Sequence, residues 1–202
     1  MTIEESINFV REYCSFEKDR AYILMAISRR KHNESVSNSE ENIHRKIVTT
    51  DEEVEYNIKT LYGLMDRDNL NYRLYLTINA RSITSSFFDF QQELASMSRS
   101  LFNGDEGTVT RIERLSSEWK STLHNPSNRV EKNFLFDVDG SNEQKVKLIN
   151  KISSETNVLL WRSSPNGYHV ITEPFNYTSL DIDHLYDELD TDGMVHVDEI
   201  ND

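Results

Sequence analysis

The sequence predicts an α+β fold in which an N-terminal α/β unit and a strand-helix-hairpin core share one mixed sheet. Three observations carry this. Helical and strand periodicities alternate along the first 128 residues. A compact unit from residue 133 to 172 then reads strand, helix, strand, turn, strand. The chain has 202 residues and 37% hydrophobic content, enough for one sizeable core. We read residues 1–202 as a single domain, with 1–128 as the N-terminal part, 129–180 as the core part and 181–202 as an acidic tail.

Thr2-Ile3-Glu4-Glu5 has the spacing of a capping box and opens a helix to about Cys14. Ala21 to Ile27 is apolar on all sides, and periodicity alone does not choose between buried strand and helix. Residues 32–41 are rich in Asn and Ser and read as a loop. Thr50-Asp51-Glu52-Glu53 is a second capping box, followed at helical spacing by Val54, Ile58, Leu61 and Met65. Leu74, Leu76 and Ile78 alternate with Tyr75 and Thr77, which predicts a strand.

A helix follows with Phe87, Phe90, Leu94 and Met97 on one face, and Phe87, Phe88 and Phe90 are expected in the core. A turn at Gly104 to Gly107 leads to a third stripe, Val109, Ile112, Leu115 and Trp119. Asn125-Pro126-Ser127-Asn128 marks a break. Phe134 to Asp139 is then a strand, and Ser141 to Gln144 caps a helix with Val146 and Ile149 inward. Val158 to Trp161 and Tyr168 to Thr172 are strands joined by the turn Pro165-Asn166-Gly167, a hairpin. The tail from Leu180 is acidic and reads as helical near Leu185 and Leu189.

The formal net charge is −13, which argues against a simple basic nucleic-acid binder. Acids spread along the chain, with lysines sparse beside arginines, fit a surface adapted to high salt. A local basic island stands at Arg29-Arg30-Lys31-His32. The single cysteine, Cys14, cannot form an internal disulfide. No stretch reaches the length of a membrane span and the first residues lack a leader pattern, so a cytoplasmic location without membrane contact is expected.

The chemistry concentrates in Phe134-Leu135-Phe136-Asp137-Val138-Asp139-Gly140. On a strand, Asp137 and Asp139 share one face about 7 Å apart. Two acids at a strand end suit a hard divalent cation, Mg²⁺ or Mn²⁺, which polarises a phosphoryl oxygen. The competing reading has Asp139 cap the next helix and Asp137 take a structural hydrogen bond. His169 lies in the second hairpin strand and meets the acids only if the two strands are neighbours; otherwise it is a half-buried ring satisfied by a backbone group. Arg162 offers a planar fork to a triphosphate. Asn166 in the turn, and Arg81 near the end of another apolar run, are the remaining candidates for substrate contact.

The pair Phe136-Asp137-Val138-Asp139 and Gly167-Tyr168-His169-Val170, in this order and with the histidine in a hairpin, resembles the archaeo-eukaryotic primase (primase-polymerase) superfamily. The likeness covers about forty residues, and the segment Thr172 to Asn176 adds a resemblance to archaeal and archaeal-virus proteins. It implies an RNA-recognition-motif-like core beside an α/β unit, and template-directed nucleotidyl transfer on nucleic acid from nucleoside triphosphates. It assigns Asp137, Asp139 and His169 as catalytic, with Asp137 and Asp139 holding the metal. The family carries a third acid on a later strand, for which Asp181 and then Asp183 are the candidates. A non-catalytic replication adaptor with a protein partner, and a metal-dependent nuclease or phosphodiesterase, are the alternatives.

Three other motifs lead elsewhere. Phe136 to Ser141 resembles the nucleophile motif of haloacid-dehalogenase-like phosphatases, but a long Rossmann-type core does not follow. Glu188 to Glu199 resembles a calcium loop, with Asp190, Asp192, Gly193 and Glu199 at suitable offsets but Glu at its first position. His169 to Thr172 is one residue too long for the His-x-Thr motif of two-histidine phosphoesterases.

Overall fold

The computed structural model describes residues 2–28, 42–68 and 70–200. The basic island Arg29 to His32 and the expected loop at 32–41 lie outside the described residues.

The chain is α+β and builds two sheets rather than one. The first contains β1 (Arg20–Ser28), β2 (Asn42–Val48), β3 (Tyr72–Thr77), β4 (Arg81–Ser82) and β9 (Met194–Ile200). Its order is β2-β1-β3-β9, with the short β4 beside the start of β1. The second contains β5 (Phe134–Val138), β6 (Val158–Ser163), β7 (Tyr168–Thr172) and β8 (Glu188–Asp190), in the order β6-β7-β5-β8.

Every pairing between named strands is antiparallel, which corrects the expected mixed sheet. The reason is local. β5 and β6, joined through a helix, run the same way, but β7 inserts between them and opposes both. A strand-helix-strand pattern normally signals parallel neighbours; here the hairpin folds back into the gap.

Helix α1 (Ile3–Tyr13) opens with the expected capping box, Thr2 with Glu5, and buries Ser6, Ile7 and Val10. Helix α2 (Asp51–Asp68) follows β2. Its Glu53 caps one residue earlier than expected, accepting the Thr49 N–H at 2.8 Å and the Thr49 hydroxyl at 2.9 Å. Both helices cover one face of the first sheet. Ile7, Val10, Val54, Ile58 and Leu61 meet Tyr22, Leu24, Leu74, Leu76, Val195 and Val197 there. The run from Ala21 to Ile27, undecided by periodicity, is the central strand, buried on both faces.

Helices α3 (Ile83–Phe102) and α5 (Leu115–Leu123) lie on the other side of that sheet, with α4 (Gly107–Glu113) packed against them. Ala21, Ile23 and Leu123 form a small core with Ile47, Ile83 and Trp119. Only part of the expected aromatic packing occurs. Phe90 meets Trp119 edge to face at 5.5 Å, whereas Phe87 and Phe88 are 49% and 58% exposed. The third stripe breaks at Arg114, which leaves Val109 and Ile112 in solvent.

Helix α6 (Asn142–Ile152) starts at a Ser141 capping box with Gln144. It turns Lys145, Leu148 and Ile152 inward, while Val146, expected inside, is 43% exposed. With Phe136, Val138, Val170, Ile182 and Leu185 it forms the core behind the second sheet.

Residues 181–202 differ most from expectation. The segment read as an acidic tail with helical character contains one short 3₁₀ turn, Asp183–Leu185, and then β8 and β9. It supplies an edge strand to each sheet. Alternation explains this: Val195 and Val197 are fully buried among acids that mask them in any composition average. The same strands exclude the calcium-loop reading, because the segment that would enter the loop is extended.

Candidate functional site

The second sheet turns its helix-free face toward β9. Directly paired residues in antiparallel strands project to the same face. Arg162 pairs with His169, His169 with Asp137, and Asp137 with Glu188. Four strands therefore present one row: guanidinium, imidazole, carboxylate, carboxylate. Leu135 and Ile171, one step along the same face, join the core of the first sheet and fix the distance between the two layers.

Asp137 and His169 meet as the strand register requires. Asp137 Oδ1 lies 3.5 Å from His169 Nε2. His169 Nδ1 accepts the backbone N–H of His196 at 3.1 Å, so the neutral ring carries its proton on Nε2 and points it at Asp137. His169 is 7% exposed, and its pKa falls to about 4 because burial penalises the cation and because His196 and Arg162 add positive field. Asp137 moves the other way, to about 6, through burial and then through the charges of Asp139, Glu188 and Asp187. Its Oδ1 is buried without a well-formed hydrogen bond. An acid that is hard to ionise, among other acids, is a site that favours a cation.

Asp139 lies just past the strand end, exposed, with its backbone N–H donated to Asp187 Oδ2 at 2.7 Å. Asp187 N–H in turn donates to the Asp137 carbonyl at 2.8 Å. Ser141, not Asp139, caps the following helix. Gly167 closes the hairpin against this corner. A Cβ there would sit 1.9 Å from the Val138 carbonyl oxygen, so only glycine allows the turn to approach β5.

The face opens into a cleft of about 400 Å³ between the sheets. Asp137, His169, Glu188, Asp190 and Asp192 line its acidic side, and Tyr75 and His124 the side of the first sheet. A separate cavity of about 340 Å³, beside Phe9, Tyr13 and Leu160, holds an Arg20–Glu131 ion pair and none of this set.

The other candidates fall differently. Arg162 donates through Nη2 to the Val197 carbonyl at 2.7 Å and stacks on the Phe9 ring at 3.8 Å. It is committed to joining the sheets rather than to a triphosphate. Arg81 is fully buried, with Nη2 2.8 Å from Asp192 Oδ1 and with Nε and Nη1 lacking hydrogen-bond partners. It supports the cleft from beneath through Asp192. Asn166 is exposed at the hairpin tip. Asp181, expected as third acid, has its side chain 93% exposed near Lys151 and His184, outside the cleft.

Sequence reasoning passes over Glu188, the acid that does neighbour Asp137. The signal is present: Glu188-Leu189-Asp190 repeats the acid-apolar-acid alternation of Asp137-Val138-Asp139, which marks a strand with both acids on one face. It also passes over His196, whose backbone holds the His169 ring.

Among the described residues, no group of three or more His, Cys, Asp or Glu is arranged to hold a metal ion as it stands. The chemistry of the donors nevertheless fits one. Asp137, Asp139 and Glu188 offer hard carboxylate oxygens, and the raised pKa of Asp137, whose Oδ1 has only a long contact to His169, marks concentrated negative charge at the cleft wall. No described helix is long and apolar enough to cross a membrane. No protein-family model, curated protein or solved structure matches the chain.

Proposed function

We propose that this protein is a metal-dependent nucleotidyltransferase of the primase-polymerase type. On this reading it acts on nucleic acid with nucleoside triphosphates, in the cytoplasm, as part of DNA replication. One observation carries the reading: Asp137 stands between His169 and Glu188 on three neighbouring strands at a cleft wall, with Asp139 beside it at the strand end.

Mg²⁺ or Mn²⁺ bound there would polarise a phosphoryl oxygen and favour ionisation of an attacking hydroxyl. Asp137, Asp139 and Glu188 are the residues that would hold it. His169 presents an Nε2–H donor whose direction is set from behind by the His196 amide, so it can meet a phosphate oxygen without first reorienting. Asn166 at the open hairpin tip remains available to substrate, while Arg162 and Arg81 position the walls.

Incorporation of labelled nucleotides on a single-stranded template with Mn²⁺ tests the assignment. The native protein should extend, and Asp137→Ala and Asp139→Ala should lose extension by 100-fold or more, on the order expected for metal ligands. Shortened oligonucleotides in place of extended ones would move the site to a nuclease or phosphodiesterase. Absence of both, with no divalent binding by calorimetry, leaves the adaptor reading. The net charge of −13 and the structural commitment of Arg162 favour that second reading.

A further inference from the structure

Helix α3 carries an exposed face that the site does not use. Thr84, Phe88, Gln91, Ala95, Ser98 and Phe102 recur at alternating steps of four and three residues, and all six are exposed. That spacing draws one straight seam along a helix. Phe102 is 91% and Phe88 58% exposed. Phe87, Leu94 and Leu101 border the seam on one side, with Gln92 and Arg99 on the other. The acids of this helix, Asp89 and Glu93, lie off the seam, and Glu93 is paired with Arg111. A helix face about 27 Å long without a carboxylate is unexpected for a solvent face in a chain of net charge −13.

We infer that this face of α3 pairs with α3 of a second copy of the chain, antiparallel, about a twofold axis at Ala95. The seam reads nearly the same in both directions from that residue. Phe88 and Phe102 each lie seven residues away, so a twofold there sets each phenylalanine on its counterpart's mate. A twofold at Ala95 also brings Gln91 level with Arg99 and Gln92 level with Ser98. Both acids of α3 lie off the seam, so two strongly anionic molecules meet along it through uncharged side chains. The small Ala95 side chain at the crossing lets the helix axes close to about 8 Å.

A protein-protein seat for another partner would not require this symmetry. The three phenylalanines and Leu101 offer about 450 Å² of accessible surface per copy, roughly half of what a stable interface takes from each side. The pair is therefore a weak one, with a dissociation constant of about 10–100 µM.

Sedimentation across that concentration range tests it, together with a cross-link. Ala95→Cys places the two new thiols across the twofold, within the roughly 7 Å Cα separation that a disulfide spans. The native Cys14 is buried and does not compete. We expect a concentration-dependent dimer, oxidative cross-linking of Ala95→Cys but not of the exposed, outward Ser96→Cys, and at least tenfold weaker association for Phe102→Glu. Circular dichroism checks that Phe102→Glu, a change at a solvated position, leaves the fold intact. A monomer at about 100 µM, or a dimer that neither cross-links at Ala95 nor weakens in Phe102→Glu, overturns the inference. A monomer that binds neutral lipid vesicles through Phe88 and Phe102 overturns it too and gives the seam to lipid.

Discussion

The imidazole of His169 accepts the backbone N–H of His196 at 3.1 Å, across the seam between the two sheets. β9 is the outer strand of its sheet, and an outer strand leaves backbone groups without ladder partners. His169 satisfies one of them, and Arg162, beside it in register, satisfies the Val197 carbonyl. The row that orients the candidate site therefore also closes the edge of the neighbouring sheet. Removing either side chain orphans a backbone group in a buried setting.

Acid should loosen this seam. His169 and His196 both titrate near 4 in the fold, against an ordinary value near 6.5, chiefly because both are buried. A histidine with a depressed pKa contributes stability above its unfolded value, and that contribution is lost as pH falls from about 6.5 to 4. Asp137, raised to about 6, opposes this between about pH 6 and 4. Two groups against one leave a net loss of about 2–4 kcal/mol across that window. Urea denaturation at pH 7.5, 6 and 4.5 measures it. A flat profile would remove the buried-histidine account.

Asp137 should cost stability when ionised. Its folded pKa lies above its unfolded one, so the penalty is present above about pH 6 and absent below about 4. Asp137→Asn should raise the unfolding free energy at pH 8 by about 1 kcal/mol after allowing for a side chain one-third exposed. This corresponds to a few degrees in melting temperature at this chain length. Thermal melts at pH 8 and pH 4.5 should show the gain only at the higher pH; destabilisation at pH 8 would contradict the electrostatic picture.

Glu188 and Asp181 give opposite expectations for divalent cations. Glu188 neighbours Asp137 in the sheet, whereas Asp181 points into solvent elsewhere. Glu188→Gln should weaken Mn²⁺ binding by about tenfold or more, and Asp181→Asn should leave it unchanged. Titration calorimetry distinguishes them. Equal effects would return the third-acid role to the position expected from sequence order.

Glycines separate structural need from tolerance. Gly167→Ala drives a methyl into the Val138 carbonyl and Asp139 Cα, both backbone, and should cost about 3 kcal/mol. Gly63, inside α2, has nothing within 4 Å of the corresponding position, so Gly63→Ala should stabilise by about 0.5–1 kcal/mol. Chemical denaturation of the two variants should move in opposite directions.

The pattern of legibility follows from which forces are local. Both serine or threonine caps with glutamate or glutamine at N3, Thr2 and Ser141, were readable because a cap is satisfied within four residues. The hairpin from Val158 to Thr172 was readable because its turn carries the chemistry a turn needs. The adjacency of Asp137 and His169 stayed open in the sequence, because the acid-bearing strand could pair with either strand of the hairpin and a strand-helix-strand order favours the first. Glu188 was not readable: its place beside Asp137 depends on a return of about fifty residues that no local spacing encodes. Nor was the second sheet, because β9 crosses the whole chain to reach β3. Phe87 and Phe88 are exposed against expectation for a related reason. Helical spacing shows which residues share a face but not whether anything lies against it.

Residues 194–200 complete a sheet whose other long strands end at residue 77. During vectorial synthesis the flank of β3 must wait for more than a hundred further residues before its ladder closes, and until then it is an adhesive border open to any passing extended segment. Late arrival of β9 also means that neither the tether on His169 nor the clasp from Arg162 exists in a nascent chain. Competence of the cleft thus waits for β9 to be made, and the slow step of its maturation is expected to be the docking of a single short strand.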